Sequence, residues 1–527
     1  MTEIYPDCIS KTANVNTLTG KILIKDVYKT YEEVSEEESK EISDLVERRF
    51  GVIQDLNDVY KENKEFKKWA DAHKETYDMA LKLQYLNFAV SCHASGYLIS
   101  FDELENHTPQ MLNKEKEQMS VYTMEDVQCL KLDLLNLDTN RMIKNILELT
   151  KEDIKTVNLE DNKFIYDKLQ SNNLLPYGLY QISGDCAYRV CQHIKPKNVI
   201  ELSHVNAIAR PVGLMYEKPY IENKEDCPEI FKSLLKFSHY QPLYQENLIA
   251  MVKIVGFNED ESEQFRRSFS KKDPEKVKEW VKKIKQKLLE NNIDEKSGEY
   301  LLKIAKESAS YQFNLSHSVS TSLLSALTVY LKYKYPLQFY LACLKEVREK
   351  ANPIDEIKII QNEMKYFGIK LLGPHIIKSD IDFKIEGENI RFALNSIKGI
   401  SDKTLEKLKN FCHPYSDKFE IFLGAEECGL GIGVLGSLIM AGTMDDYLTQ
   451  TRTMTTKEAQ TFNLLTPREK KRILLKNDQN KSILGEQFNY DLIAIINYLK
   501  QSQNGAKPFL KESRLETIRK DYRLFQK

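Results

Sequence analysis

The sequence has no excess of charge of either sign. Against 76 Lys and Arg stand 78 Asp and Glu, a formal net charge of -2, so any nucleic-acid contact has to come from local patches rather than from a generally basic surface. The nine cysteines, Cys8, Cys92, Cys129, Cys186, Cys191, Cys227, Cys343, Cys412 and Cys428, contain no CxxC pair. Their odd total and scatter argue against a disulfide framework and against a zinc module; Cys412-His413 with Cys428 is the nearest approach to a metal spacing. A reducing cytoplasm is the expected compartment. The start has no basic stretch followed by an apolar core, so no signal peptide is expected. The most apolar long stretch, Val319 to Leu331, is interrupted by Ser and Thr and followed at once by Lys332 and Lys334, which predicts a buried helix and no membrane partner. No repeat of solenoid period occurs. What is present, 527 residues with 42% hydrophobic and 29% charged content, suffices for roughly three to five domains.

Residues 31 to 85 are dense in Glu, Lys and Asp, with Ile42, Leu45, Val46 and Phe50 at helical spacing, which predicts solvated amphipathic helices. From Leu83 the texture changes: turn-like His93-Ala94-Ser95-Gly96 leads into the β-favouring Tyr97-Leu98-Ile99-Ser100. The reading is helix, tight turn, strand, with a second strand from Gln128 to Leu135. Residues 160 to 345 read as helical. The clearest case is Asp273-Pro274-Glu275, a cap followed by Pro at the first helical position and an acidic first turn, with Val277, Trp280, Val281, Ile284, Leu288 and Leu289 forming an apolar stripe behind it. A helix over Ile354 to Phe367 then gives way to short strands at Phe383 to Ile385 and Ile390 to Ala393. Helical patterning returns after Ser401, and Ser502-Gln503-Asn504-Gly505 in the polar tail reads as a flexible joint.

Candidate chemistry is concentrated in a few places. Asp133 lies between Leu132 and Leu134, where a carboxylate in an apolar strand is costly unless it meets a cation or a metal. Lys131 projects from the same face, and such a pair suits a site for Mg²⁺ and phosphates; alone it also reads as a strand-end salt bridge. Arg266, Arg267, Lys271 and Lys272 put four cations in seven residues, as a triphosphate or a DNA backbone requires and as a solvated charge cluster also shows. Asn314, Ser316 and His317 precede the buried helix and by themselves read as its capping segment.

The order and spacing of these motifs resemble the C-family replicative DNA polymerases, represented by the bacterial DNA polymerase III alpha subunit. The resemblance runs through His93-Ala94-Ser95-Gly96 and Lys131-Leu132-Asp133 in the palm, then Tyr180-Gln181, Lys195-Pro196, Arg210-Pro211, Tyr244-Gln245-Glu246, Arg266-Arg267 with Lys271-Lys272, and Phe313-Asn314 with Ser316-His317-Ser318 in the fingers. Tyr335-Pro336, the hairpin Ile397-Lys398-Gly399 and Ala441-Gly442 continue it, so that it covers roughly residues 8 to 450. It departs from the family at Ile182-Ser183-Gly184, Val212, Gln312, Leu315 and Ser401.

This resemblance implies an α+β, predominantly helical chain. A partial nucleotidyltransferase-like, pol β-like palm would occupy residues 1 to 160, large helical fingers 161 to 350, a small mixed region with a helix-hairpin-helix 351 to 450, and a helical tail 451 to 527. It implies template-directed addition of deoxynucleotides to a primer 3′ end, with primer-template DNA and dNTP as partners. Asp133 would be one of three palm carboxylates holding two Mg²⁺ ions, and Lys131 would touch the triphosphate. Arg266 and Arg267, with Lys271 and Lys272, would neutralise its phosphates, while Arg210, Asn314, Ser316 and His317 would line the nucleotide pocket or template path. Lys398 and Gly399 would meet DNA. The other two carboxylates belong to a PDxDxD-type motif that this sequence lacks, so the expectation is a chain inactive alone, such as half of a phage-type split polymerase completed by a partner or an N-terminal segment. Leu524 and Phe525 resemble the short peptides that sliding clamps accept, or close a helix packed on its own domain. The alternative from another class is a non-catalytic DNA-binding or regulatory subunit derived from a polymerase.

Overall fold

In a computed structural model the described residues are 7–49, 52–113, 118–121, 129–134, 137–210, 213–270, 274–308, 313–350, 352–448, 451–467 and 470. The chain divides into two compact units, residues 1–137 and 138–527, and is α+β with helix predominating.

The first unit is built on a five-stranded mixed sheet in the order Gln110–Leu112, Gln118–Ser120, Ile9–Thr17, Asn87–Ile99, Leu130–Asp133. Ile9–Thr17 runs antiparallel to Asn87–Ile99 and parallel to Gln118–Ser120. The acidic stretch folds as expected into short helices, Glu36–Asp44, Leu56–Glu62, Lys64–Ala72 and Lys74–Leu83, interrupted by the paired strands Arg48–Arg49 and Val52–Ile53 and preceded by the helix Gly20–Tyr31. They enclose a core of Leu23, Ile24, Phe66, Trp69 and Tyr77. Ser35 starts one of them with a reciprocal capping box to Glu38.

One expectation fails here. His93-Ala94-Ser95-Gly96 does not separate a helix from a strand; it lies inside one thirteen-residue strand, Asn87–Ile99. The register to Ile9–Thr17 jumps from Lys11 opposite Tyr97 to Ala13 opposite Cys92, so these four residues bulge from the ladder and the chain resumes its direction. A bulge and a turn draw on the same small residues, and long-range pairing decides between them.

The second unit holds three apolar clusters among the described residues. One gathers around the helices Val199–Ile208, Leu315–Lys334 and Pro336–Glu346. Met142, Ile143 and Ile146 of the Asp138–Thr150 helix join it, so residues 138–160, which the resemblance placed with the palm, pack here. A second is formed by Gln245–Val255, Glu259–Ser270, Pro274–Glu290 and Glu295–Ser308. Its stripe contains Trp280, Ile284 and Leu288 as the spacing predicts, whereas Leu289 is 81% exposed and lies off it. The third holds the helices Asp402–Phe411, Lys418–Glu427 and Ile432–Ala441, together with Ala459 and Phe462 of Arg452–Asn463. The apolar run after Val319 is indeed a buried helix, but burial extends to Lys332, which is wholly enclosed. No helix among the described residues is long and apolar enough to cross a membrane.

Candidate active site

Asp133 ends the edge strand Leu130–Asp133, directly opposite Gly96. The strand is not the apolar interior that its leucines suggested: Leu130 and Leu134 are 64% and 51% exposed, and the Asp133 side chain is half exposed. Its charge therefore carries little burial penalty and is open to a ligand. Lys131 does share its face, with Nζ 3.5 Å from Oδ1 of Asp133. The bulge behind the pair is shaped by His93, whose Nδ1 accepts hydrogen bonds from the amides of Ser95 (3.2 Å) and Gly96 (2.7 Å). Leu134 N then donates to Ser95 O at 2.8 Å. A Cβ at Gly96 would lie 2.5 Å from Thr12 Oγ1 and 2.8 Å from His93 Nδ1, so only glycine fits where this strand meets Asp133.

In the second unit, four of the motifs meet. Arg210, half-buried, donates to Gln181 Oε1 (3.1 Å) and lays its guanidinium 4.9 Å from the centre of the Phe313 ring. Phe313 bridges to Tyr244, and Gln245 N donates to Phe313 O. Asn314 caps Leu315–Lys334, its Oδ1 accepting from His317 N (2.8 Å) and Ser316 Oγ (2.7 Å), while its Nδ2 donates to Glu246 (2.8 Å). Glu246 also accepts from the Leu315 amide. The carboxylate of the Tyr244-Gln245-Glu246 motif thus occupies the electropositive start of the next motif's helix. His317 is exposed and meets Phe313 edge-on.

Arg266 and Arg267 lie on Glu259–Ser270, and both reach Glu263 one turn back. Arg266 donates through Nε and Nη2 at 2.8 and 2.7 Å, and Arg267 through Nε at 2.8 Å. Those bonds, that of Arg266 foremost, hold the Glu263 carboxyl down at about 2. Glu263, with Glu246 as a lesser contributor, raises the Arg266 guanidinium in turn. Arg267 is 69% exposed against 22% for Arg266, so it is the more accessible of the two to an anion. Lys271, Lys272, Leu524 and Phe525 lie outside the described residues, as do Pro211, Val212 and Gln312.

Lys398 and Gly399 are exposed on the turn before Asp402–Phe411. Gly399 has φ +93°, and a Cβ there would meet Ser437 Oγ at 2.7 Å. An open groove of about 920 Å³ adjoins them, walled by Ile397, Ile432, Gly436 and Met440. Among the described residues no three His, Cys, Asp or Glu side chains converge to hold a metal, and burial pushes the Cys412 thiol up to about 11.

Residues 2–136 match the family model described as the bacterial DNA polymerase III alpha NTPase domain. Residues 137–292 match the bacterial DNA polymerase III alpha subunit finger domain, and 368–454 a helix-hairpin-helix motif. The chain belongs to the C-family polymerases. It is a divergent member. DNA polymerase III subunit alpha of Campylobacter jejuni is 29% identical over 84% of this chain and 38% of that protein. The Aquifex aeolicus protein of the same name is 30% identical over 72% of the chain and 34% of its own length, and the Thermus aquaticus one 24% over 86% and 39%. The chain thus spans well under half the length of the curated relatives it matches. The junction between the first two C-family matches falls where the two compact units part.

Three residues of this C-family chain hold the candidate side chains in place without having been given a role from the sequence. Glu246 was unremarkable beside its neighbours because the helix start it serves comes 69 residues later. Glu263 was not singled out, although its three- and four-residue spacing to Arg266 and Arg267 is a readable signal. Gln181 had a motif position but no role.

Proposed function

We propose that this chain forms part of a C-family DNA-directed DNA polymerase, extending a primer 3′ end with deoxynucleoside triphosphates on a DNA template. The observation that carries the reading is a half-exposed carboxylate, Asp133, paired with the partly buried ammonium of Lys131 on an edge strand that a histidine-shaped bulge holds in register. Asp133 offers one oxygen ligand of the kind Mg²⁺ prefers. The described residues do not by themselves fit a two-ion site, which takes further carboxylates. In this reading those come from a partner or segment bearing the PDxDxD-type motif. In the helical unit Arg267, and Arg266 behind it, would receive phosphates, Arg210 and the Asn314–His317 turn would border the nucleotide or template, and Lys398 with Gly399 would meet the duplex.

The ion pairing of both arginines with Glu263 favours a second reading, a DNA-binding or regulatory subunit without catalysis. The decisive experiment mixes the chain with a polypeptide carrying the motif and follows primer extension. Asp133→Asn should lower the rate on the order of 100-fold or more while leaving the melting temperature unchanged, because the side chain is half exposed. Extension that survives the substitution removes Asp133 from the chemistry. DNA binding with no extension by any mixture selects the second reading.

A further inference from the structure

In the loop between Lys163–Gln170 and Asp185–Ile194, Gln181 has a φ of +60°, in the left-handed region that a residue with a side chain adopts only when its surroundings impose it. Those surroundings are polar and buried. Lys332 Nζ donates to the carbonyls of Leu175 (2.8 Å) and Tyr177 (2.7 Å) and to Glu363 Oε2 (2.6 Å). Glu363 Oε1 accepts from the Tyr177 amide (3.0 Å), and Oε2 from Tyr340 Oη (2.9 Å). Tyr333 Oη accepts from the Leu175 amide (3.0 Å), and Thr328 Oγ1 from the Tyr180 amide (3.1 Å). Five backbone groups in six residues are therefore fixed by side chains of Leu315–Lys334 and Pro353–Met364, immediately before Gln181 takes the guanidinium of Arg210.

A buried ion pair gains little stability over a well-packed apolar pair of the same volume, because desolvation cancels most of its attraction. Burial alone pulls the Lys332 ammonium down against the pull of Glu363. What an apolar pair cannot supply is two donors and an acceptor aimed at a neighbouring backbone. We propose that Lys332 and Glu363 are positioning residues of the nucleotide-facing edge: they hold Leu175–Tyr180 so that Gln181 orients Arg210 over Phe313. This rests on the reading that Arg210 borders the nucleotide or template.

The test is the double substitution Lys332→Met with Glu363→Leu in the full chain, which leaves no uncompensated charge, beside Glu363→Gln, which keeps an acceptor for the Tyr177 amide. The double variant should melt within a few degrees of the parent. Exchange of the amides in a peptide spanning residues 171–184 should quicken about tenfold or more. In primer extension with the motif-bearing partner, the KM for dNTP should rise about tenfold with kcat nearly unchanged. Glu363→Gln should recover part of both effects, and Gln181→Ala should add nothing to the KM of the double variant. Unchanged exchange in that peptide overturns the positioning claim whatever the activity. Faster exchange with an unaltered KM in a chain that extends primers breaks the link to the nucleotide. A parent chain that extends no primer with any partner sinks the function reading alone, since exchange still decides whether the pair holds the loop.

Discussion

At the scale of single residues, the molecule repeatedly places a carboxylate where a cation or a helix start needs it, and Glu263 is the case with the clearest consequence. Bonds from Arg266 and then Arg267 hold its carboxyl at about 2, below the usual 4.5. A depressed folded value means that the ionised form is favoured by folding, so this contribution is complete above about 4.5 and is lost as the pH falls toward 2. Glu263→Gln removes it. Urea titrations should find the variant less stable than the parent at pH 6, with the gap narrowed at pH 3 and closed only as the pH approaches 2. The same change removes the partner of the exposed Arg267 guanidinium, so on the proposed function the binding of a nucleoside triphosphate, followed by the quenching of a labelled analogue, should tighten several-fold at pH 7. A gap that widens in acid would assign the depressed titration to another group.

At the scale of elements, Arg452–Asn463 docks on Lys418–Glu427 through a pair buried on both sides, with Lys418 Nζ 2.8 Å from Glu458. Burial raises the Glu458 carboxyl to about 7 although Lys418 opposes it. The sign is the reverse of that at Glu263. The folded state binds the proton more tightly than the unfolded one, so this contribution is present below about 4.5 and lost as the pH rises through 7. It amounts to at most about 3 kcal/mol for a shift of this size. Amides of Arg452–Asn463 should exchange faster at pH 8 than at pH 6 after correction for intrinsic rates, and Glu458→Gln should abolish the difference. Which elements exist was mostly legible beforehand, because helical periodicity is local: Pro274–Glu290 shows its stripe and Pro353–Met364 its first-position proline. Closures made at a distance were not legible. In the sequence Lys332 is only the first charge after the apolar run, and it is Glu363, 31 residues on, that meets it in the interior. The Asn87–Ile99 strand looked broken because its bulge is defined by Ile9–Thr17, far back in the chain. At the site, the motif residues were found by order and spacing, but the half-exposed edge position of Asp133 and the bonds of Glu246 are facts of tertiary pairing alone.

At the scale of the whole molecule, each of the two units closes an apolar core of its own. Leu23, Ile24, Phe66 and Trp69 belong to one, and Leu331, Phe339, Tyr340 and Leu344 to the largest core of the other. Two cores that share no cluster have separate stabilities, and two-state unfolding then fails for the chain as a whole. Phe66 and Phe339 are both fully buried, and truncating a buried phenylalanine to alanine costs about 3–5 kcal/mol through lost transfer energy and the cavity left behind. Calorimetry should resolve more than one transition. Phe66→Ala should move only the one carried by residues 1–137, and Phe339→Ala only one belonging to residues 138–527, with the assignment read from exchange of peptides in each unit. If both substitutions displaced a single transition together, the units would fold as one cooperative body. The Asp133 strand and the arginine-bearing helices would then be coupled through the fold itself, and the salt and pH responses of one could no longer be varied without the other.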